Sequence, residues 1–248
     1  VPIYGSEQVT NGDFSQTGAE QVTNGDFENG STGWTFSAQC EVVNSQARII
    51  STDGSFQYIS QNNVFDTNKI YKFEFDVISS NGATLGFAGG IPDVETSTLG
   101  RKTLYISPSV SYLQIKRSSG ITDVFIDNVS VKELGQDWNL GTGWSIGEDK
   151  AISNGNNLDA YLSQAAIVAG KTYKVTFDVN DYTSGALSVR PANESQVLSV
   201  TAIGSYVAYV TSISSISIGF RSAGVAGFDG SVTNISVQEV LSPDGDFT

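Results

Sequence analysis

The chain has 248 residues, of which 13 are basic and 26 acidic, so its formal net charge is −13. Nucleic-acid binding needs clustered Lys and Arg, and membrane insertion needs a long apolar run, so the sequence predicts neither. The chain contains no histidine and a single cysteine, which excludes Ser-His-Asp and Cys-His nucleophilic sites and disfavours a zinc site.

A few chemical options remain after these exclusions. Paired carboxylates for glycoside hydrolysis stay open in principle, but no pair stands out, so we expect a protein that is not an enzyme. Cys40 cannot form an intrachain disulfide and is expected to be a small buried hydrophobe. The absence of methionine predicts a processed chain or a segment of a longer one.

The N-terminal region contains the same eight residues twice. Glu7–Phe14 and Glu20–Phe27 both read Glu-Gln-Val-Thr-Asn-Gly-Asp-Phe, and we call this sequence the EQVTNGDF phrase. Residues 244–247, Asp-Gly-Asp-Phe, resemble its end. We interpret residues 1–20 as an N-terminal arm or an aborted repeat.

Alternation of apolar and polar residues predicts the strands. Residues 71–77 read Tyr-Lys-Phe-Glu-Phe-Asp-Val, and residues 173–179 read Tyr-Lys-Val-Thr-Phe-Asp-Val. This period of two, with one apolar and one wet face, is typical of antiparallel sheets. The other predicted strands, separated by Gly, Asn and Ser, are 46–50, 56–61, 103–106, 112–116, 124–131, 160–164, 187–189, 197–202, 206–211, 213–220 and 232–240.

Five blocks recur in the same order at nearly equal spacing, which indicates a duplication. The pairs are Thr32–Trp34 with Thr142–Trp144, Tyr58–Gln61 with Tyr161–Gln164, Tyr71–Val77 with Tyr173–Val179, Arg117–Gly120 with Arg221–Gly224, and Asn128–Leu134 with Asn234–Val240. The arginine blocks are out of phase with the apolar residues before them, which indicates either a β-bulge in one copy or a slip in the alignment.

The duplication predicts an all-β fold of two tandem antiparallel β-sandwich (jelly-roll) domains. Module 1 would span residues 21–134 and module 2 residues 135–241. Residues 242–248 would form a C-terminal tail or the start of a further module.

The sequence also resembles a known family. Asn24–Glu28, Gly33-Trp34, residues 71–77 and residues 126–131 together resemble carbohydrate-binding modules of the family 4/9/22 jelly-roll type. The resemblance implies that sugar binds in a cleft or on a concave face. It also implies a structural calcium near the first and last strands, with oxygen ligands from Asp26, Glu28 and Asp127.

Two observations bear on this calcium site. Thr233 stands in module 2 where Asp127 stands in module 1, and the opening of module 2, Gln136–Asn139, differs from that of module 1. Calcium is therefore expected in module 1 only. The alternative interpretation of the three acids is ordinary turn and strand-edge chemistry.

Sugar sites combine exposed aromatic rings with polar groups that fix orientation. If Ile59 points inward, Tyr58 and Ser60 on either side of it point outward, and the equivalent strand of module 2 repeats this pattern. The two tyrosines could instead pack under loops. Trp34 and Trp144 are expected to be core residues. The candidate ligand-binding residues are Tyr58, Ser60, Tyr161, Ser163 and Trp138.

The sequence thus predicts a non-catalytic extracellular structural or adhesion protein that binds a polysaccharide or cell-surface glycan. Residues 128–133 also resemble domains of phage tail and head-fibre proteins, which implies a fibre or decoration segment on a virion surface, in contact with other virion subunits. Two alternatives remain: the binding region of a secreted bacterial glycoside hydrolase, and a subunit of a bacterial surface array or filament. Homo-oligomerisation is compatible with all three.

Overall fold

The computed structural model describes residues 2–156 and 158–241, and every regular element in these ranges is a β-strand. No helix in that part of the chain could cross a membrane. The strand pairs are antiparallel throughout. The predicted C-terminal tail or module start, residues 242–248, lies outside the described residues.

Residues 17–134 form one compact unit, which we call the inserted sandwich. Its strands are β2 (Thr17–Glu20), β3 (Thr35–Phe36), β4 (Glu41–Val43), β5 (Gln46–Ser51), β6 (Tyr58–Gln61), β7 (Ile70–Ser80), β8 (Thr84–Phe87), β9 (Val94–Glu95), β10 (Gly100–Ile106), β11 (Leu113–Arg117) and β12 (Thr122–Leu134). Six of them form a sheet in the order β10-β7-β12-β5-β4, with β2 also paired to β12. The other five form a sheet in the order β3-β6-β11-β8-β9.

The core of the inserted sandwich lies between these two sheets. Phe73 and Phe75 on β7 have no exposed surface, and neither do Ile59 on β6 and Ile115 on β11. The residues between them on β7 are half-buried on the outer face. The period-two pattern of the sequence therefore decides which face of each strand enters the core, and the prediction of an all-β sandwich is confirmed.

Residues 2–16 and 135–241 together form the second unit, which we call the split sandwich. Its strands are β1 (Ile3–Glu7), β13 (Asn139–Leu140), β14 (Trp144–Gly147), β15 (Lys150–Asn154), β16 (Tyr161–Ala165), β17 (Thr172–Ser184), β18 (Ala186–Pro191), β19 (Leu198–Val200), β20 (Gly204–Thr211), β21 (Ser217–Ala223) and β22 (Asp229–Leu241). Six strands form a sheet in the order β14-β15-β22-β17-β20, with β1 also paired to β22, and the other five follow the order β13-β16-β21-β18-β19. Each strand thus has a counterpart in the inserted sandwich.

The N-terminal residues differ from the predicted arm. Ile3 and Tyr4 of β1 lie opposite Leu241 and Val240 of β22, so residues 2–16 complete the split sandwich. Thr17–Glu20 form β2 of the inserted sandwich. The module predicted at residues 135–241 is therefore completed by residues 2–16, so the split sandwich is discontinuous in sequence.

Each copy of the EQVTNGDF phrase opens one sandwich and places a phenylalanine in its core. Phe27 is fully buried, with its ring 5.4 Å from that of Trp34. Phe14 is 1 % exposed, with its ring 5.3 Å from that of Trp138. Both indoles donate to the carbonyl of the phrase asparagine, at 3.1 Å for Asn24 and 3.0 Å for Asn11.

The structural counterpart of Trp34 is therefore Trp138, and the predicted alignment of Trp34 with Trp144 is wrong. Trp34 precedes β3, which pairs with β6, and Trp138 precedes β13, which pairs with β16. Trp144 instead begins β14, where its ring stacks on Phe228 at 6.2 Å. Both Trp34 and Trp144 are buried, as expected for core residues.

Replacing each phrase phenylalanine by alanine tests the stability of each sandwich separately. Phe14→Ala should destabilise the split sandwich by about 3–5 kcal/mol, because it leaves a cavity in a packed core. Phe27→Ala should do the same to the inserted sandwich. Hydrogen exchange resolved by peptide should locate each effect, and the two variants control for each other. Loss of protection in residues 17–134 on Phe14→Ala would contradict the assignment of Phe14 to the split sandwich.

Candidate functional site

The outer face of the five-stranded sheet in the inserted sandwich carries two of the predicted ligand residues. Ile59 is fully buried, while Tyr58 and Ser60 on either side of it are half-buried on the opposite face. Phe56 is 55 % exposed, and its ring centroid lies 5.5 Å from that of Tyr58. The two rings therefore form an aromatic pair on the surface, of which the sequence analysis identified only Tyr58.

A polar cleft of about 300 Å³ lies beside Ser60. The main chain of Thr23 holds the side chain of Gln61 in the wall of this cleft. The Thr23 N–H donates to Oε1 of Gln61 at 2.8 Å, and Nε2 of Gln61 donates to the Thr23 carbonyl at 2.9 Å. Hydroxyl and amide groups like these match the hydrogen-bonding groups of a sugar. The cleft is lined by Gln21, Thr23, Gly33, Thr35, Ser60, Gln61, Asn62 and Asn63.

The split sandwich repeats the outward tyrosine and serine on β16. Leu162 is fully buried, and Tyr161 and Ser163 are half-buried on the other face. The ring of Tyr161 crosses Gly219 of the neighbouring strand, where an added Cβ would lie 2.9 Å from the ring atom Cδ1. Arg221, opposite Tyr161, forms an ion pair with Asp159.

Trp138 does not belong to this surface. It is only 6 % exposed, and its ring packs against Phe14 in the core of the split sandwich. A ring whose faces are covered by protein cannot stack on a sugar, so the prediction of Trp138 as a ligand residue is corrected. The local sequence around Trp138 does not indicate this burial, because its partner Phe14 lies near the other end of the chain.

The three acids predicted to bind calcium lie close enough to affect one another. The pKa of Asp127 is raised, first by partial burial and then by the negative charges of Asp76, Asp26 and Glu28, against the hydrogen bond from the Asn128 N–H. In the split sandwich Thr233 takes the place of Asp127, and its hydroxyl donates to the Asp149 carbonyl at 2.8 Å.

The electrostatic effect of Asp26 and Glu28 on Asp127 does not mean that these acids are spaced to bind a metal ion. Within residues 2–156 and 158–241, no three His, Cys, Asp or Glu side chains are grouped so that they could hold a metal ion. Calcium in the inserted sandwich therefore stays a prediction from the family resemblance.

The sequence analysis missed a second exposed aromatic set, on the six-stranded sheet of the split sandwich. The hydroxyls of Tyr4 and Tyr209 are 3.1 Å apart, and Nζ of Lys174 lies 4.7 Å from the centroid of the Tyr4 ring. Tyr209 is 52 % exposed. Tyr4 and Tyr209 meet only because β1 and β20 belong to one sheet, and nothing in the local sequence indicates this.

No family model and no curated protein matches the sequence. Among solved structures, the chain is similar to the N-terminal CBM22-1-CBM22-2 tandem domain of Xyn10C from Paenibacillus barcinonensis, at 12 % identity and a TM-score of 0.40 over 91 % of this chain and 99 % of that one. It is also similar to a fucolectin from striped bass (Morone saxatilis) serum, at 8 % identity and a TM-score of 0.30 over 78 % and 85 %. At these scores the fold assignment rests on the strand pairing of this chain alone.

The acids around Asp127 give a test of charge and calcium together. A raised folded-state pKa means that stability is greatest when Asp127 is protonated and falls as the pH rises through that pKa. In EDTA at neutral pH, Asp127→Asn should therefore raise the melting temperature. If calcium binds, it should raise the melting temperature of the wild type, and Asp127→Asn should lose this gain.

Thermal melts with calcium and with EDTA measure both effects. Asp13→Asn, at the split-sandwich counterpart of Asp26, is the control for removing an acid from the sandwich in which no calcium is expected. Identical wild-type melts in calcium and EDTA would eliminate the calcium prediction. A lower melting temperature of Asp127→Asn in EDTA would contradict the charge explanation.

Proposed function

We propose that this chain is a non-catalytic adhesion protein that binds glycan on the outer face of the five-stranded sheet of each sandwich. One observation carries the proposal: equivalent strands of the two sandwiches both present a tyrosine and a serine outward, Tyr58 with Ser60 and Tyr161 with Ser163. The duplicated strand keeps both outward residues, while the core residue between them is Ile59 in one copy and Leu162 in the other.

Saccharide chemistry fits this surface. The C–H faces of a pyranose stack on aromatic rings, and hydroxyl and amide groups nearby fix its orientation. In the inserted sandwich the Phe56–Tyr58 pair supplies the rings, and the cleft beside Ser60 supplies the polar groups. In the split sandwich Arg221, opposite Tyr161, is paired with Asp159. In the inserted sandwich Lys116 lies opposite Tyr58. Each surface therefore places a basic side chain beside its tyrosine, and a glycan is the ligand class we propose.

The cleft supports binding rather than hydrolysis. Glycoside hydrolysis needs two carboxyl groups flanking the scissile bond, one as acid and one as base or nucleophile. The residues that line the cleft are amides, hydroxyls and a glycine, with no carboxylate among them. The absence of histidine from the chain removes the most common general base as well.

The setting that we propose is extracellular, on a virion fibre or decoration protein. The net charge of −13 and the two sandwiches in one chain support it, and residues 128–133 resemble phage fibre domains. The rival setting is the binding region of a secreted glycoside hydrolase. A catalytic domain in the same gene would favour this rival.

The glycan surfaces can be tested by removing the rings. Tyr58→Ala and Tyr161→Ala should each weaken binding at their own sandwich by about 2- to 13-fold, because an aromatic contact is worth about 0.5–1.5 kcal/mol. A glycan array would identify a ligand, and calorimetry would measure the affinities. Tyr105→Ala removes an exposed tyrosine from the other sheet and should leave binding unchanged. Undiminished binding in the double variant would remove both proposed surfaces.

A further inference from the structure

The EQVTNGDF phrase is bound twice in this molecule, by the same contacts in two separate sandwiches. In each case the receiving surface is formed by the last strand of the sandwich, β12 or β22, and by a glutamine on β6 or β16. We call this surface the phrase groove. The groove recognises the glutamate, the glycine and the phenylalanine of the phrase, and not merely an extended main chain.

The glutamate of the phrase accepts two hydrogen bonds from the last strand in each sandwich. Oε1 of Glu20 accepts the N–H of Val131 at 2.7 Å, and Oε2 accepts the hydroxyl of Ser130 at 2.6 Å. Glu7 accepts the N–H of Val237 at 2.7 Å and the hydroxyl of Ser236 at 2.5 Å. Hydrogen bonds to a carboxylate are stronger than those between neutral groups, so they favour an acid at this position.

The threonine of the phrase is held through its main chain. In the split sandwich the N–H of Thr10 donates to Oε1 of Gln164 at 2.7 Å, and Nε2 of Gln164 donates to the Thr10 carbonyl at 3.0 Å. Gln61 makes the same two bonds to Thr23 in the inserted sandwich. The amide of each glutamine therefore pairs with the phrase as a neighbouring strand would.

The glycine and the phenylalanine complete the recognition. A Cβ on Gly12 would lie 1.9 Å from the Ile235 carbonyl oxygen, and a Cβ on Gly25 would lie 1.9 Å from that of Val129. Main-chain atoms cannot yield as a side chain can, so only glycine fits. The phenylalanine that follows two residues later is buried in both sandwiches.

The split sandwich obtains its phrase from a distant part of the chain. Residues 17–134 fold as a separate unit between the phrase at Glu7–Phe14 and the rest of the split sandwich. Only Ser15 and Gln16 join Phe14 to the first strand of that unit. Exchange of an identical element between copies of a chain costs little, because the same contacts form in cis and in trans.

We propose that the phrase groove of the split sandwich also accepts the EQVTNGDF phrase of a second copy of this chain. Residues 2–16 leave their own groove together and dock on β22 and Gln164 of the partner. Reciprocal exchange gives a closed dimer, and exchange in one direction gives a linear assembly. The added strand is β-augmentation with a sequence-specific carboxylate, glycine and phenylalanine. Glycan binding takes no part in it.

A disulfide trap tests the exchange in the full chain. Tyr4 and Val240 are direct partners across β1 and β22, so cysteines at both positions suit a cross-strand disulfide. Cys40→Ser removes the native thiol. The Y4C/V240C/C40S chain is refolded and oxidised when dilute and when concentrated, then separated on a non-reducing gel. We expect a crosslinked monomer from the dilute sample and crosslinked dimers or longer ladders from the concentrated one. Crosslinked monomer alone at every concentration would overturn the proposal.

A peptide tests the groove independently of that disulfide. Gly12→Ala should release the phrase from its own groove, so a labelled peptide of residues 2–16 should bind this chain at least tenfold more tightly than the wild type. If Gly12→Ala unfolds the split sandwich, the peptide should restore its protection from hydrogen exchange.

The chain offers a matched control in the same strand. A Cβ on Gly5 meets ordinary contacts at 3.5 Å, so Gly5→Ala should keep its own phrase docked and bind the peptide no better than the wild type. A peptide carrying alanine in place of the phrase glycine should not bind at all. Neither binding nor restored protection in the Gly12→Ala chain would overturn the proposal.

Discussion

Both sandwiches depend on the docking of one short phrase against their last strand. The phrase brings a phenylalanine into the core, where it packs on a tryptophan, and its glycine lets two main chains approach more closely than any side chain would allow. Its glutamate satisfies the N–H of the receiving strand. Buried apolar area and matched polar groups are thus supplied together, which is the condition for closing a sandwich without unsatisfied main-chain groups.

The polar cleft of the candidate glycan surface depends on the same docking of the phrase. Gln61 holds the phrase through Thr23, and Thr23, Gln61 and Ser60 all line the polar cleft. The wall of the cleft is therefore built partly by the phrase and partly by β6. A ligand there would contact both Thr23 and Gln61, which are 38 positions apart in sequence yet are joined by two hydrogen bonds of one amide.

The sequence analysis succeeded where the signal was local and failed where it was not. Ile59 and Leu162 are buried while the tyrosines and serines beside them face outward, as alternation predicts. The arginine blocks, by contrast, were misaligned: Tyr58 lies opposite Lys116, and Tyr161 lies opposite Arg221, so Lys116 and not Arg117 is the counterpart of Arg221. The alignment had slipped by one residue. The alignment of Trp34 with Trp144 failed in a similar way. It matched two identical Thr-Gly-Trp sequences, although strand pairing makes Trp138 the counterpart of Trp34.

The sequence by itself determined the strands with clear alternation, such as β7 and β17, their inward faces and the presence of two equivalent sandwiches, because the alternation of side chains along a strand is a local property. Short strands such as β3 and β13 carry too few residues to show it. Only the tertiary structure decided which copy of the phrase completes which sandwich. The two copies are identical over eight residues, so no local preference can distinguish them, and the assignment depends on contacts such as Glu7 with Val237 that join opposite ends of the chain. The burial of Trp138 follows from the same contacts, since its partner Phe14 lies in the phrase.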